Sequence, residues 1–559
     1  MRLFANIADL LYDLGALVRN LIISPFAPRP LYVLLELTGP YPEHPARRTW
    51  GMPQPQSTED LRRQLRAIAA DSRVAGIVVM VRDLTAGLAS IQSIRGALAA
   101  YRARGRRVIA YLPDATTRVY YLASAADAIV MPESGTLDIV GMEIETTFVR
   151  EALDRIGITG EFEQIAEYKG AAEPVTRRTM SAPMRESLSA VLDSVYEDLI
   201  GDVAAARRLP PAAVRALVDR APLSAREAHD AGLIDTVRFE DELPDYLQTK
   251  PQGLPTILPW ARARKSLRAP LRWQPPGRAI AVIGVRGMIH MGESRPRSPL
   301  PIPYAAGPTT GNATFARAVR AVERNPGFGA VVLAIDSPGG SALASDLIWR
   351  EVDRINRKKP VVAYLGNVAA SGGYYVAAGA SRIISQPATL TGSIGVIGGK
   401  FTVRGLATRI GINRERLVRG EAAAISSSFT PYSAEERRRL RRQMEEIYDR
   451  FVGRVAVGRG IPREAVLAIA RGRVWTGRQA QGHGLVDGLG DFPAAVAAAK
   501  HLMGVPESRD VPVVLVRPPR SATAGGLGPL AGLGEIWGGL AALVDERALV
   551  LMPWEVAPR

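Results

Sequence analysis

The 559 residues exceed what one ordinary hydrophobic core holds, and 47% hydrophobic with 23% charged residues is typical of a folded protein, so at least two domains are predicted. The absence of cysteine excludes disulfides, thiolate zinc sites and a cysteine nucleophile. The net charge of +16 fits either a solvated basic surface or contact with an anionic partner such as lipid headgroups, but no nucleic-acid-binding signature accompanies it, so no nucleic acid partner is expected.

The first predicted element is an amphipathic helix over residues 1–28. Apolar residues recur at helical spacing from Leu3 to Ile22, while Asp13 and Arg19 fall on the other side. These charges argue against a membrane-spanning helix, and the segment lacks the basic start and small-residue cleavage site of a secretory signal peptide. A helix lying in the membrane interface and a helix packed on protein both fit this pattern.

Four segments of the chain recur in the same order at nearly constant spacing, which predicts two repeats of one domain. The matching pairs are residues 31–39 with 279–287, 74–81 with 328–335, 108–112 with 361–365, and 223–235 with 475–487. Short runs rich in Val and Ile, each followed by a helical stretch, indicate buried parallel strands with right-handed crossover helices. The predicted fold class is therefore α/β, with two tandem domains that each have a parallel β-sheet.

The domain boundaries follow from composition. The first repeat is assigned to residues 29–250 and the second to residues 278–503. Between them, residues 251–277 are rich in Pro and Arg, which is typical of a linker. Residues 504–559 form a C-terminal tail, in which the glycine-rich apolar stretch 525–544 contains a glutamate and is therefore a poor candidate for spanning a membrane.

The two repeats differ after the second of these strands. The second repeat has Asp336-Ser-Pro-Gly-Gly-Ser341 where the first has Arg82-Asp-Leu-Thr-Ala-Gly87. Two glycines between a strand and a helix allow a sharp turn and leave N–H groups pointing outward. Such groups can hold a developing oxyanion, at about 3 kcal/mol per donor. A simple glycine turn is the alternative interpretation.

The repeats differ again after the third strand. Asn367-Val-Ala-Ala-Ser-Gly-Gly-Tyr-Tyr375 in the second repeat matches Asp114-Ala-Thr-Thr-Arg-Val-Tyr-Tyr121 in the first. Only the second repeat places a serine, Ser371, before two glycines on a strand-to-helix turn, which resembles the mechanics of a nucleophile elbow. The alternative is that Ser371 only caps the helix.

A serine nucleophile needs a general base. None of the five histidines lies in a motif-like setting, so a Ser-His-Asp triad is not expected. A lysine can serve instead when burial lowers its pKa from about 10.4 toward neutrality. Lys169 follows a predicted strand at residues 162–165, and the matching region of the second repeat, residues 419–425, has no lysine. A surface lysine is the alternative interpretation of Lys169 taken alone.

Five motifs together resemble the long, duplicated form of signal peptide peptidase A, the bacterial protease IV family, over residues 31 to 500. They are Tyr168-Lys-Gly-Ala-Ala-Glu-Pro174, Asp336-Ser-Pro-Gly-Gly-Ser341, Ala370-Ser-Gly-Gly-Tyr374, Leu390-Thr-Gly-Ser-Ile-Gly395 and Gly472-Arg-Val-Trp-Thr-Gly-Arg478. The resemblance implies a ClpP/crotonase-like fold in each repeat and a Ser-Lys dyad whose members lie in different repeats.

The resemblance also implies roles for individual residues. Ser371 would be the nucleophile, and Lys169 would be the general base and later the general acid. The backbone N–H groups of Gly339 and Gly340 would form the oxyanion hole, and Ser393 would orient the lysine amine. No metal and no other cofactor is implied.

The function that the resemblance implies is an endopeptidase that degrades apolar peptides, such as cleaved signal peptides, through an acyl-enzyme. It also implies a homotetramer and a location at the bacterial inner membrane, without indicating the membrane face. The chain departs from the family in two places: Gly170 replaces the usual serine, and the N-terminus lacks a clear spanning helix. The alternatives are a crotonase-type acyl-CoA enzyme and a non-catalytic membrane-associated scaffold.

Overall fold

A computed structural model describes residues 12–20, 31–45, 54–248, 254–269, 277–296, 307–517, 549–551 and 557–558. The chain divides into two compact units. Unit 1 contains residues 1–143, 195–276 and 556–559, and unit 2 contains residues 144–194 and 277–555. Residues 12–20 are helical (α1). The rest of the helix predicted over 1–28, and the tail stretch 525–544, lie outside the described residues.

The first half of the chain contributes elements to both units. Up to residue 143 they are β1 (Leu31–Gly39), α2 (Thr58–Ala69), β2 (Val74–Leu84), α3 (Leu88–Arg102), β3 (Arg107–Tyr111), β4 (Ala115–Thr116), α4 (Thr117–Ala123), β5 (Ala128–Met131), β6 (Thr136–Asp138) and β7 (Met142–Glu143). After residue 143 they are α5 (Arg150–Ile156), β8 (Thr159–Ile165), α6 (Glu173–Thr176), α7 (Ala182–Arg207), α8 (Pro211–Arg220), β9 (Leu223–Ser224), α9 (Ala225–Asp230), β10 (Thr236–Val237), α10 (Leu243–Leu247), β11 (Thr256–Pro259) and α11 (Trp260–Ser266).

The second half of the chain begins with the strands and helices that carry the glycine and serine turns. They are β12 (Ala279–Arg286), β13 (Ile289–His290), β14 (Thr310–Gly311), α12 (Asn312–Arg324), β15 (Phe328–Ser337), β16 (Gly339–Ser341), α13 (Ala342–Asn356), β17 (Val361–Ala370), α14 (Gly372–Ala377), β18 (Arg382–Ser385), β19 (Leu390–Gly392) and β20 (Val396–Thr402). The remaining elements are α15 (Arg404–Arg409), α16 (Ala434–Arg459), α17 (Arg463–Ile469), β21 (Val474–Thr476), α18 (Gly477–Gly482), β22 (Gly488–Leu489), α19 (Phe492–Leu502), β23 (Val513–Leu515), β24 (Leu549–Leu551) and β25 (Ala557–Pro558).

Unit 1 is built on a parallel sheet of six strands in the order β10-β5-β3-β2-β1-β11. The strands are short apolar runs whose side chains are buried on both faces, as expected when helices cover both sides of a parallel sheet. The edge strand β11 lies within residues 251–277, the segment predicted as a linker, and α11 follows it. Residues 249–253 and 270–276 lie outside the described residues.

Unit 2 has a larger sheet whose central strands run β19-β17-β15-β12-β23, all in parallel, while β21 joins β19 in the antiparallel sense. Helices α12, α13 and α14 contribute to the core on one face, and α19 to the core on the other. The prediction of an α/β fold with parallel sheets and crossover helices is confirmed in both units. Among the described helices, none is long and apolar enough to span a membrane.

A second sheet in unit 2 positions the candidate site. Its strand order is β14-β13-β16-β24-β20-β8. Strand β8 comes from the first repeat and pairs in the antiparallel sense with β20 of the second repeat, along seven residues from Thr159 to Ile165. This pairing brings the loop that carries Lys169, which follows β8 directly, into the same unit as Ser371.

Candidate active site

Ser371 lies at the turn between β17 and α14, in a backbone conformation that serine rarely adopts. Its φ is 56° and its ψ is −116°, outside the regions that L-residues populate easily. The backbone holds it there, since the Ser371 N–H donates to Gly392 O at 2.8 Å and Ser371 O accepts from the Tyr375 N–H at 2.8 Å. The turn therefore fixes the serine before any substrate is present.

The two glycines after Ser371 are required by close packing. A Cβ at Gly372 would lie 2.5 Å from Ser345 Oγ and 3.2 Å from Gly339 Cα. A Cβ at Gly373 would lie 2.7 Å from Ser337 O. Such distances are shorter than van der Waals contact, so larger residues would push the serine turn away from the glycine turn that follows β15.

The Ser371 side chain does not cap its helix. No hydrogen bond joins Ser371 Oγ to the first turn of α14. Instead, Ser371 Oγ lies 2.7 Å from Lys169 Nζ. Both side chains are inaccessible to water, Ser371 being 0% and Lys169 1% exposed. The structure thus brings together the serine and the lysine that the sequence singled out in different repeats.

The Lys169 amine has three oxygen atoms around it. Besides Ser371 Oγ, Nζ lies 2.8 Å from Ser393 O and 2.9 Å from Ser393 Oγ. Burial lowers the pKa of Lys169 well below its usual value, because the charged form loses its hydration. A neutral amine has two N–H donors and one lone pair. With both donors directed to Ser393, the lone pair is left for the Ser371 hydroxyl proton.

The predicted oxyanion glycines form the short strand β16. Gly339 has a φ of 105° and Gly340 a φ of 153°, both in the region that favours glycine. A Cβ at Gly340 would lie 2.0 Å from Ile289 O. The Gly339 N–H donates to Ser337 Oγ at 3.1 Å, and the Ser337 hydroxyl in turn donates to Gly287 O at 2.6 Å. An oxyanion bound at Gly339 would therefore have to replace Ser337 as the acceptor.

Comparison with known proteins assigns the family. The sequence model of Peptidase family S49 matches residues 100–252 and again residues 353–506. The chain belongs to peptidase family S49. It is 31% identical over 486 residues to the chloroplastic serine protease SPPA of Arabidopsis thaliana, covering 84% of this chain and 69% of that protein. It is also 31% identical over 466 residues to Protease 4 of Salmonella typhi, covering 80% and 72%.

These matches confirm the predicted resemblance to the long, duplicated signal peptide peptidase A, and this member of family S49 is a serine peptidase. Among solved structures, a ClpP1 mutant from Listeria monocytogenes covers 38% of this chain and 94% of its own, with 14% identity and a TM-score of 0.25. The two S49 repeats, each with its parallel sheet, are the two tandem α/β domains that were predicted.

Two further glycines of the S49 peptidase enclose Lys169, and neither was predicted to have a role. A Cβ at Gly472 would lie 2.5 Å from Lys169 N, and a Cβ at Gly395 would lie 3.1 Å from Lys169 Cδ. The Gly472 N–H also donates to Ile394 O at 2.8 Å. Both glycines occur in the motifs that carry the family resemblance, and this was the sequence signal that marked them. Their spacing in the sequence does not show that they contact Lys169.

Gly170, where the chain departs from the family pattern, lies on the side of the lysine loop that faces Glu173. A Cβ at this position would be 3.2 Å from Glu173 Oε1. Glu173 is buried and accepts hydrogen bonds from the backbone N–H and the hydroxyl of Ser181. A side chain at position 170 would crowd the Glu173 carboxylate, which is held by its hydrogen bonds to Ser181. Glycine avoids this contact, and Lys169 keeps its position beside Ser371.

A strand from the C-terminal tail of the S49 peptidase lies beside the glycine turn. Strand β24 pairs with β16 in the antiparallel sense, with Gly340 opposite Val550 and Gly339 opposite Leu551. The same strand pairs with β20 through Leu549 and Ile397. An extended backbone of this chain therefore occupies the space between the two strands that flank the candidate site.

Proposed function

We propose that this S49 peptidase cleaves peptide bonds with a catalytic dyad in which Ser371 is the nucleophile and Lys169 the general base. The observation that carries the proposal is the distance of 2.7 Å between Lys169 Nζ and Ser371 Oγ in a fully buried site. Since burial lowers the pKa of the lysine, the amine can accept a proton near neutral pH.

The reaction follows from this arrangement. Lys169 takes the hydroxyl proton of Ser371, and Oγ attacks the carbonyl carbon of the peptide. The oxyanion is stabilised by the N–H groups of Gly339 and Gly340. The protonated amine then gives its proton to the leaving nitrogen, and water activated by Lys169 hydrolyses the acyl-enzyme. Ser393 orients the amine throughout, through its carbonyl and its hydroxyl.

The position of β24 supports a binding mode for the peptide. A substrate in extended conformation would pair with β16 and β20 where residues 549–551 now lie, so that its scissile carbonyl comes next to the glycine turn. The substrates are apolar peptides, such as signal peptides after their release. The Leu-Val-Leu sequence of the strand that occupies this position agrees with such a preference.

Assembly and location are proposed from the family resemblance alone. The protein would form a homotetramer and associate with the bacterial inner membrane. The apolar side chains of Leu14, Leu17 and Val18 on α1 are exposed, and this exposure supports a contact of the N-terminal helix with lipid or with another protein surface.

The dyad is tested by measuring hydrolysis of an apolar fluorogenic peptide as a function of pH. The variants are Ser371→Ala, Lys169→Ala and the control Thr117→Ala, which changes the residue that matches Ser371 in the first repeat. We expect Ser371→Ala and Lys169→Ala each to lower kcat at least ~1000-fold, and Thr117→Ala to retain wild-type activity. The wild-type rate should rise with pH through an apparent pKa well below that of free lysine.

Two outcomes would contradict the dyad. One is near-full activity of Lys169→Ala, and the other is a rate that rises only near the pKa of about 10.4 of an unburied lysine. A serine-directed covalent probe separates the peptidase from an acyl-CoA enzyme or a scaffold. Only a peptidase with this dyad requires Lys169 for labelling at Ser371.

A further inference from the structure

Three non-glycine residues around Lys169 have a backbone with positive φ, a conformation that L-residues rarely adopt. The φ is 83° at Ala166, 51° at Ser393 and 44° at Arg471. They lie in three segments of unit 2, which are the loop after β8, the turn between β19 and β20, and the turn before β21. A strained backbone persists only where surrounding contacts hold it, so the contacts among these segments determine where Lys169 lies.

The turn before β21 joins the other two segments through backbone hydrogen bonds. The Tyr168 N–H donates to Arg471 O at 3.0 Å, and the Ser393 N–H donates to Arg473 O at 2.8 Å. The residue before the proposed general base and the residue that binds its amine therefore share one partner segment. The position of this turn relative to the loop after β8 then sets the position of the amine.

The side chain of Arg473 closes this arrangement on the outside. Its guanidinium donates to Glu186 Oε1 on α7 at 2.7 Å, and the Tyr168 hydroxyl donates to Glu186 Oε2 at 2.9 Å. The guanidinium carbon of Arg473 lies 5.2 Å from the centre of the Tyr168 ring and 4.6 Å from the centre of the Trp475 ring. Both distances allow a cation–π contact. One arginine thus links the turn before β21, the loop after β8 and α7.

The neutral amine of Lys169 depends on the exclusion of water from this region. Its pKa is lowered by burial alone, and Nζ contacts only oxygens of Ser371 and Ser393. The charged side chains around the lysine loop bind one another or Ser181, and they are Glu167, Glu173, Glu186, Arg471 and Arg473. Arg473 therefore acts on the amine by holding the loop in place and not through its own charge.

We propose that Arg473 is a positioning residue for Lys169. Its guanidinium, held between two aromatic rings and bound by Glu186, keeps the lysine loop against the turn before β21. The amine of the lysine thereby remains within reach of Ser371 Oγ and out of water. This inference rests on the proposed dyad, because Arg473 contributes to the reaction only through Lys169.

Loss of this link has two consequences for the reaction. A displaced amine takes the hydroxyl proton of Ser371 less efficiently, which lowers kcat. An amine that gains water regains hydration of its charged form, which raises the pKa of Lys169. The strands proposed to bind the substrate, β16 and β20, contain none of the linking residues, so KM should not change.

The test measures kcat and KM for an apolar fluorogenic peptide as a function of pH. Arg473→Gln and Glu186→Ala should each lower kcat about tenfold at neutral pH and move the rising limb of the pH–rate profile to higher pH. The double variant should be no slower than either single variant, since both changes remove the same contact. Arg473→Lys keeps a positive charge beside the carboxylate and should remain within ~3-fold of the wild-type kcat.

The matched control is Arg215→Gln in unit 1. Arg215 likewise forms an ion pair with a glutamate, Glu197, and its guanidinium carbon lies 5.7 Å from the centre of the Tyr196 ring. This variant should retain the wild-type kcat and pH profile.

A second measurement does not depend on peptide binding. The rate at which a serine-directed covalent probe labels Ser371 should shift with pH in Arg473→Gln as the peptide hydrolysis does. Circular dichroism and a thermal melt verify folding. Glu186 is 55% exposed, and exposed ion pairs contribute little to stability, so Glu186→Ala should keep its Tm and carries the test even if Arg473→Gln does not fold.

The positioning role is contradicted by a folded Arg473→Gln variant with the wild-type kcat and pH profile. It is also contradicted if kcat falls without a shift of the profile, if a higher KM accounts for the loss, or if the losses in the double variant add. In each of these cases an inactive Lys169→Ala variant would leave the dyad standing. Near-full activity of Lys169→Ala would instead refute the dyad, and the role of Arg473 with it.

Discussion

The two repeats build the same scaffold around their third strand, but only one of them carries the proposed nucleophile, Ser371. In the first repeat the Tyr120 hydroxyl donates to Leu233 O at 2.7 Å, and in the second the Tyr374 hydroxyl donates to Leu485 O at 2.8 Å. Burial raises the pKa of both phenols. The contact that anchors the helix after the strand is therefore the same in the two repeats.

The repeats differ a few residues before these tyrosines. Thr117, which matches Ser371, is the first residue of α4 and has a negative φ, whereas Ser371, before α14, has a φ of 56°. A non-glycine residue in such a conformation costs about 1–3 kcal/mol. The comparison teaches that burial and hydrogen bonding maintain the scaffold of both repeats, while the turn at Ser371 additionally needs a strained serine and glycines that leave room for it.

Among changes that keep both Ser371 and Lys169, the largest effect is expected from removing that room at the glycine turn after β15. Gly340→Ala should lower kcat about 100-fold or more, because a Cβ would lie 2.0 Å from Ile289 O and would displace the N–H donors. The first repeat already has an alanine, Ala86, at the matching position. The reverse change Ala86→Gly should therefore leave peptide hydrolysis unchanged, although it introduces a more flexible residue.

Both variants are compared by steady-state hydrolysis of the same peptide, with circular dichroism to verify folding. A folded Gly340→Ala variant with wild-type kcat would show that the oxyanion is held elsewhere. A loss of activity in Ala86→Gly would show that the first repeat takes part in catalysis through this turn, and the contrast between the repeats would then fail.

A smaller effect is expected from the glycines around the lysine. Gly395→Ala places a Cβ 3.1 Å from Lys169 Cδ and should lower kcat about tenfold, because a misplaced base transfers the proton poorly. A lysine pushed toward water regains hydration of its charged form, so its pKa rises. The rising limb of the pH–rate profile should accordingly move to higher pH.

The matched control is Gly482→Ala, since a Cβ at Gly482 meets no atom within 4 Å. It should retain both the wild-type rate and the wild-type profile. A Gly395→Ala variant whose rate falls without any displacement of the profile would mean that Gly395 supports the fold but does not control the hydration of Lys169.

The smallest effect concerns stability. The folded-state pKa of Lys169 is lowered by burial, so between that pKa and the unfolded value of about 10.4 the unfolded chain binds more protons, and stability rises with pH across this window. Lys169→Met removes the buried amine. It should raise Tm by a few degrees at neutral pH and flatten the dependence of Tm on pH, as expected when a functional residue opposes stability.

A second buried lysine provides the contrast. Lys400 donates to Ile425 O at 2.9 Å and lies 4.0 Å from the centre of the Tyr432 ring. Lys400→Met loses both contacts and should lower Tm in the same calorimetric scan. A Tm of Lys169→Met below that of the wild type would indicate that the hydrogen bonds to Ser393 outweigh the cost of burying the amine.

Much of the repeat that carries Ser371 could be predicted because its signals are local. Buried strands, the glycine turn at Gly339 and Gly340 and the serine turn at Ser371 are each encoded in a few consecutive residues. The contact of two glycines with Lys169 could not be predicted from their positions in the sequence. Gly472, for example, is distant in sequence from the lysine and contacts it only in the folded chain.

The sequence by itself determined that the protein consists of two α/β repeats, and that the candidate nucleophile and the candidate base belong to different repeats. Local composition and the match between the two repeats carry this information, because each strand and each turn is specified by the few residues that form it. Only the tertiary structure decided that β8 crosses to pair with β20, which brings Lys169 within 2.7 Å of Ser371. Pairing between strands far apart in sequence depends on the edges that the rest of the fold leaves exposed, and no local pattern reports which edges those are.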